Sequence, residues 1–220
     1  MVGVKIVYED NHLLVVDKPA GARTQADSSG EPSLQDQAKA DLARRHRKPG
    51  NVFLGIVHRL DRPAQGLVLF AKTSKAASRL SREMRERRIE KVYWAVVEGK
   101  LRPREGRLEG WLAREGDKTR VARAAASGAQ EAALSYRVLR ETRSTSLVEI
   151  RLETGRKHQI RAQLAALGHP IVGDSKYGAR IPYRKDAIAL LARRIAFEHP
   201  TRKERIVLSI EPPSDWPCLP

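Results

Sequence analysis

Cysteine is almost absent from this sequence. Its 220 residues include one, Cys218, close to the C-terminus. No disulfide can form within the chain, and a cysteine-based zinc site lacks its ligands. Long apolar runs are missing too. Nothing approaches the roughly 20 residues that cross a bilayer. The first ten residues show no basic stretch leading into an apolar one, so no secretion signal is read and the expected location is the cytoplasm. Nucleotide and metal signatures are also lacking: there is no P-loop, no dinucleotide-type glycine pattern, no His-Glu-x-x-His and no Gly-x-Ser-x-Gly. The six histidines (12, 46, 58, 158, 169 and 199) show no ligand spacing. Phosphoryl transfer, methyl transfer and zinc deamination lose support, and neither a metal nor a cofactor is expected. What remains is chemistry that side chains perform alone.

Acidic residues are scarce beside basic ones. There are 26 Asp and Glu against 42 Lys and Arg, a net charge of +16, and the cations comprise 29 Arg and 13 Lys. A guanidinium makes forked contacts with phosphate that an ammonium does not. The expected partner is a polyanion, most simply nucleic acid; a generally basic surface is the competing reading. Hydrophobic content of 41% and charged content of 31% fit a folded domain rather than a disordered basic tail. The length allows one sizeable core, or two small lobes sharing a sheet.

The pattern predicts two short strands within 4–16, separated by Glu9-Asp10-Asn11, and Lys18-Pro19-Ala20-Gly21 closes the second. Asp27–Pro32 and Lys48–Asn51 read as loops around a helix over Leu34–Arg47. Val52–Asp61 reads as extended and Gly66–Lys72 as a buried strand. Thr73 or Ser74 caps a helix running to about Arg88, with Ala76, Ala77, Leu80 and Met84 on its apolar side and Arg79, Arg82, Arg85, Arg87 and Arg88 on the other. Lys91–Val97 alternates as a strand, 102–128 suggests hairpins, and 131–139 and 146–152 read as paired strands. Gln159–Leu167 reads as a helix with Ile160, Leu164 and Leu167 on one stripe and Gly168 as its stop. Ala187–Phe197 and Ile206–Ile210 complete the core. Strands and helices do not alternate regularly, so the expected class is α+β with mainly antiparallel pairing.

Three stretches could carry chemistry. In Val57-His58-Arg59-Leu60-Asp61-Arg62 an extended backbone puts Arg59 and Asp61 on one face. A carboxylate beside a guanidinium is held ionised and can act as nucleophile or base at a sugar carbon. An exposed ion pair of little consequence is the commoner reading of that spacing. Gly155-Arg156-Lys157-His158-Gln159-Ile160-Arg161 gathers cations where a helix opens, a combination suited to phosphate, or simply a solvated helix start. Tyr93 follows an arginine-rich helix and could stack a base; taken alone, a core tyrosine is the simpler reading.

Together and in this order, these stretches resemble the RluA-type RNA pseudouridine synthases. The carrying segments are Asp17–Gly21, His58–Arg62 with Gly66–Lys72, Lys91-Val92-Tyr93, and Gly155–Arg161 with Leu167–Asp174 and Tyr177-Gly178. The resemblance runs from about residue 7 to 215 and implies a bent, mixed but mostly antiparallel sheet flanked by helices, with a central cleft. It implies a single catalytic domain, or two lobes sharing one sheet, without the N-terminal S4-like module that many relatives carry, and a monomer. Asp61 matches the catalytic aspartate, Tyr93 the tyrosine that stacks on the target base, and Arg161 the basic partner of the aspartate. Arg59 matches an arginine that fills the space of the flipped base. Ile160 would line the pocket, and Arg156, Lys157 and His158 would contact RNA.

The implied reaction turns uridine into pseudouridine in ribosomal or transfer RNA. It breaks N1–C1′ and forms C5–C1′, with no redox change and no group donor, so no cofactor is required. The base must leave the helix to be reached. A catalytically silent RNA-binding or ribosome-assembly protein on the same fold is the alternative. The chain departs from the family pattern at Ala64-Gln65, Leu134, Leu191 and Ala22-Arg23-Thr24, which bears on substrate choice and RNA docking.

Overall fold

A computed structural model describes residues 4–27, 30–47, 49–124 and 126–217. Cys218, the Ser28-Ser29 part of the first loop and Lys48 of the second lie outside the described residues. The chain divides into two compact units, one reaching to Ile89 and including Arg194–Ile210, the other Glu90–Arg193 with the residues from Glu211 on.

The first unit contains β1 (Lys5–Glu9), β2 (Leu13–Lys18), α1 (Leu34–Arg45), β3 (Gly55–Ile56), β4 (Gln65–Ala71) and α2 (Ser74–Arg85). The second contains β5 (Glu90–Glu98), β6 (Glu105–Glu115), β7 (Lys118–Ala122), β8 (Gln130–Glu141), β9 (Thr145–Leu152), α3 (Gln159–Ala166) and a single 3-10 turn at Ser175–Tyr177. β10 (Leu190–Glu198) contributes its last five residues to the first unit, where β11 (Arg205–Ser209) pairs with it. The class is α+β with mostly antiparallel pairing, as expected from the irregular order of elements.

In the first unit β2 lies between β1 and β4, antiparallel to both, and β3 pairs with the end of β4. All seven residues of β4 are buried, which explains why its sequence after Gln65 is a continuous apolar run rather than an alternation. Leu13, Val15, Leu67, Leu69, Ala76, Leu80, Ile195 and Phe197 form one cluster with it. The turn before β2 is built by Asp10, whose carboxylate accepts the N–H groups of His12 and Leu13 at 2.7 and 2.8 Å. Both helices start where the sequence places them, and both starts are capped. Ser33 and Asp36 exchange hydrogen bonds as a capping box, and the Thr73 hydroxyl accepts the N–H of Ala76 at 3.2 Å.

The helix α2 stops at Arg85, not Arg88. Arg87 turns the chain with φ +57°, its N–H bonds Met84 and the N–H of Arg88 reaches back to Glu83. These are the two bonds of a Schellman motif, with arginine where glycine is usual. Only Gly55-Ile56 of the expected extended stretch 52–61 is strand, because the residues after it are held by side chains rather than by a ladder.

The second unit is an antiparallel sheet in the order β5-β9-β8-β6-β7. Gly116-Asp117 makes the two-residue turn between β6 and β7. α3 is buried from Gln159 to Leu164, so its sequence has no polar face. Leu167, expected on the buried stripe, is 44% exposed; it lies at the C-cap, where the chain is already leaving the core. The departures Ala64, Leu134 and Leu191 are all buried.

Candidate active site

In the first unit the backbone on both sides of Asp61 is fastened to the loop that follows β2. The buried hydroxyl of Thr24 accepts the N–H of Leu60 and donates to its carbonyl, both at 3.2 Å. The carbonyl of Arg62 accepts the Gly21 N–H at 2.8 Å, and the Arg62 Nε returns a bond to the Gly21 carbonyl at 3.0 Å. Gly21 adopts φ +82° to make this approach. Upstream, the Nε2 atom of His58 accepts the N–H of Leu69 in β4. Asp61 itself is half-buried and its carbonyl closes a turn onto the N–H of Ala64; Arg59 is exposed.

Behind this turn lies Lys18, which has no exposed surface. Its three N–H groups go to the carbonyls of Pro19, Ala22 and Arg62 at 3.0, 2.7 and 3.1 Å, a full complement for an ammonium. Burial pushes its pKa down to about 7, against the attraction of the Asp61 carboxylate. The Arg62 carbonyl, next to Asp61 in the chain, thus accepts both the Gly21 N–H and the Lys18 ammonium.

In the second unit Tyr93 sits in the middle of β5, 6% exposed, opposite Ile150 of β9. Arg161, in the first turn of α3, is buried and forked onto Asp174: Nε to Oδ2 at 2.7 Å and Nη2 to Oδ1 at 2.8 Å. The ring of Tyr177 lies 4.8 Å from the guanidinium carbon, and its hydroxyl accepts the Thr119 N–H and meets His158 Nδ1, both at 2.9 Å. Arg161 and His158 are therefore brought together around Tyr177. Ile160 is buried beside them in sequence.

The remaining basic residues differ among themselves. Arg156 donates through Nε to the Glu131 carbonyl, while Lys157 is exposed. His158 stands at the N-cap of α3 with φ +53° and caps nothing. The side chain of Gln159 instead ties the approach to the helix, accepting from the Arg156 N–H at 3.0 Å and from Thr154 Oγ1 at 2.7 Å. Burial also lowers the pKa of Lys91, whose ammonium lies 3.4 Å from where a side chain on Gly155 would start.

Four residues that hold the site have no role in the sequence reading: Lys18, Thr24, Asp174 and Tyr177. Lys18, Asp174 and Tyr177 stand inside the segments that carry the resemblance, so the signal was present without its mechanism. Thr24 is one of the departures. Among the described residues no group of three His, Cys, Asp or Glu could hold a metal ion, and no helix is long and apolar enough to cross a membrane.

Comparison with known proteins bears on what this arrangement does. A family model described as RNA pseudouridylate synthase matches residues 12–166. An uncharacterized RNA pseudouridine synthase of Bacillus subtilis is 36% identical over 97% of this chain and 70% of its own length. Ribosomal large subunit pseudouridine synthase D of Nitrosomonas europaea is 32% identical over 98% of the chain and 64% of its own length. Among solved structures, human RNA pseudouridylate synthase domain containing 4 superposes with a TM-score of 0.80 at 24% identity, covering 96% of this chain and 90% of that one. The fold, the family match and the relatives agree: the chain belongs to the RNA pseudouridylate synthase family, enzymes that isomerise uridine in RNA.

Proposed function

We propose that Asp61 is the carboxylate that acts on the target uridine, that Tyr93 stacks on its base, and that Arg161 is the cation serving the acidic group. The carrying observation is the turn at Asp61. A half-buried carboxylate is flanked on both sides by pinned backbone, with a buried lysine behind it. Preorganised charge of this kind favours a transition state without moving at the moment of reaction. The reaction breaks N1–C1′ and joins C5 to C1′; C5 loses a proton and N1 gains one, so nothing external is consumed. The nucleotide is flipped out to expose both faces of uracil, Arg59 takes the vacated space, and Ile160 walls the pocket. Arg156, Lys157 and His158 contact the RNA.

The substrate we propose is ribosomal RNA, in keeping with the relative named for the large ribosomal subunit, with transfer RNA as the other outcome of the assay. The enzyme acts as a cytoplasmic monomer. Tritium release from 5-tritiated uridine in ribosomal and transfer RNA tests the activity, the substrate and the role of Asp61. Wild-type protein releases tritium from one of the two, and Asp61→Asn releases none while keeping the wild-type unfolding midpoint. Full release by the folded variant overturns the role of Asp61, and no release by wild type from either RNA supports the silent RNA-binding alternative.

A further inference from the structure

Helix α2 divides cleanly into two sides. Ala76, Leu80 and Glu83 are buried. Lys75, Ser78, Arg82 and Arg85, spaced by three, four and three residues, are exposed, and so are Glu86, Arg87 and Arg88 beyond the last turn. That spacing keeps the first four on one narrow stripe.

The cations on this stripe differ from the arginines that pair with acids. Arg23, Arg45, Arg102, Arg107 and Arg137 each meet a carboxylate. Among the described residues, Lys75, Arg82, Arg85 and Arg87 make neither an ion pair nor a side-chain hydrogen bond. Of the exposed acids nearby, Glu86 is occupied by Arg88 and Glu198 by Lys203. The other acid of the helix, Glu83, is 5% exposed; burial and the neighbouring Glu198 raise its pKa, which weakens its negative charge.

Arg87 adds an independent observation. It occupies the left-handed position of the Schellman motif with φ +57°, a conformation that glycine adopts without strain and arginine does not. Arg87 is exposed and makes no ion pair or side-chain hydrogen bond among the described residues, so its side chain is available to a partner outside the chain.

We propose that this face of α2, from Lys75 to Arg87, is a docking surface for the RNA backbone, in addition to the groups that receive the target nucleotide. The chemistry recognised is a run of phosphates, which a row of unpaired guanidinium groups neutralises without reading sequence. The proposal rests on RNA being the substrate, and its test separates the two.

Binding of a large-subunit ribosomal RNA transcript is measured across a potassium chloride series, with tritium release by wild-type protein recorded on the same RNA. Arg82→Glu/Arg85→Glu is compared with Arg143→Glu/Lys185→Glu, a pair of exposed cations elsewhere that carries the same charge change. The α2 pair is expected to weaken binding at least about tenfold and to flatten the salt slope by about 2, roughly one per lost phosphate contact, while the control pair changes the slope by much less. Arg87→Gly is expected to keep or raise the unfolding midpoint and yet weaken binding. Equal slopes for the two double variants, or unaltered binding by both α2 variants, overturn the proposal. If that occurs while wild type releases tritium, the enzymatic reading stands and the surface alone is lost. If the α2 variants instead lose binding to an acidic protein and not to RNA, the surface serves a protein partner and the proposal is likewise wrong.

Discussion

Helices α2 and α3 both carry arginine, and use it in opposite ways. On α3 the Arg161 guanidinium is 4% exposed, forked onto Asp174 and covered by Tyr177. On α2 Arg82 and Arg85 are exposed, with no partner among the described residues. The difference follows from what surrounds each helix. α3 is wrapped on all sides, so any charge on it must be paired in place. α2 lies with one face on the β4 cluster and the other in water, so its charges cost little where they stand and act through their field. The same side chain is thus a fixed geometric element in one helix and a long-range attractor in the other.

The largest effect comes from breaking the fixed arrangement. Asp174→Asn takes away the carboxylate forked onto the buried Arg161 guanidinium, which costs about 3–5 kcal/mol. Urea unfolding at pH 7 reads this directly; a loss below about 1 kcal/mol would show that the fork is not what holds Arg161. The corresponding case in the first unit is Lys18, whose pKa is about 7 when folded against an ordinary value of 10.5. Between those values the unfolded chain binds the extra proton, so folding stability rises with pH across the window; below about pH 7 both states are protonated and the cost of burial is complete. Relative to Lys18→Met, wild type gains about 2 kcal/mol between pH 7 and 9, at ~1.4 kcal/mol per pH unit when fully developed. A stability difference that stays flat over that range would mean the ammonium keeps its proton.

These two cases also show how far the sequence could be read. The start of α2 is legible because Thr73 acts on an N–H three residues away; that of α1 is placed at Leu34 without a reading of its cap, Ser33. The end of α2 is not, because the expected punctuation is glycine and the position holds Arg87. Asp61 and Arg161 stand out through the segments around them, but what fixes them is distant: Thr24 is 36 residues from Leu60, Lys18 is 44 from Arg62, and Asp174 is 13 beyond Arg161. Local pattern carries strand, helix and cap; it does not say which carbonyl a lysine will reach across a fold. Leu167 fails for the same reason, since its spacing is right and its surroundings are absent.

A smaller effect separates the capped start of α2 from its charged face. Thr73→Ala removes the hydroxyl that accepts the Ala76 N–H and costs ~1 kcal/mol. Because the helix then begins without its cap, the loss registers in urea unfolding whether or not RNA is present. No change in the unfolding midpoint would mean that water serves this N–H equally well.

The smallest expected change in stability gives the sharpest contrast. Arg82→Ala/Arg85→Ala removes two exposed side chains that touch no partner among the described residues. Alanine is the strongest helix former, and exposed substitutions of this kind stay within about 0.5 kcal/mol. The two positions lie three residues apart on one face, so removing both also relieves like-charge repulsion, which favours the folded helix slightly. Their removal should therefore leave the unfolding midpoint where it is or raise it a little, in direct opposition to Asp174→Asn. A loss above about 1 kcal/mol would show that these arginines hold the fold together, and would place α2 with α3 rather than against it.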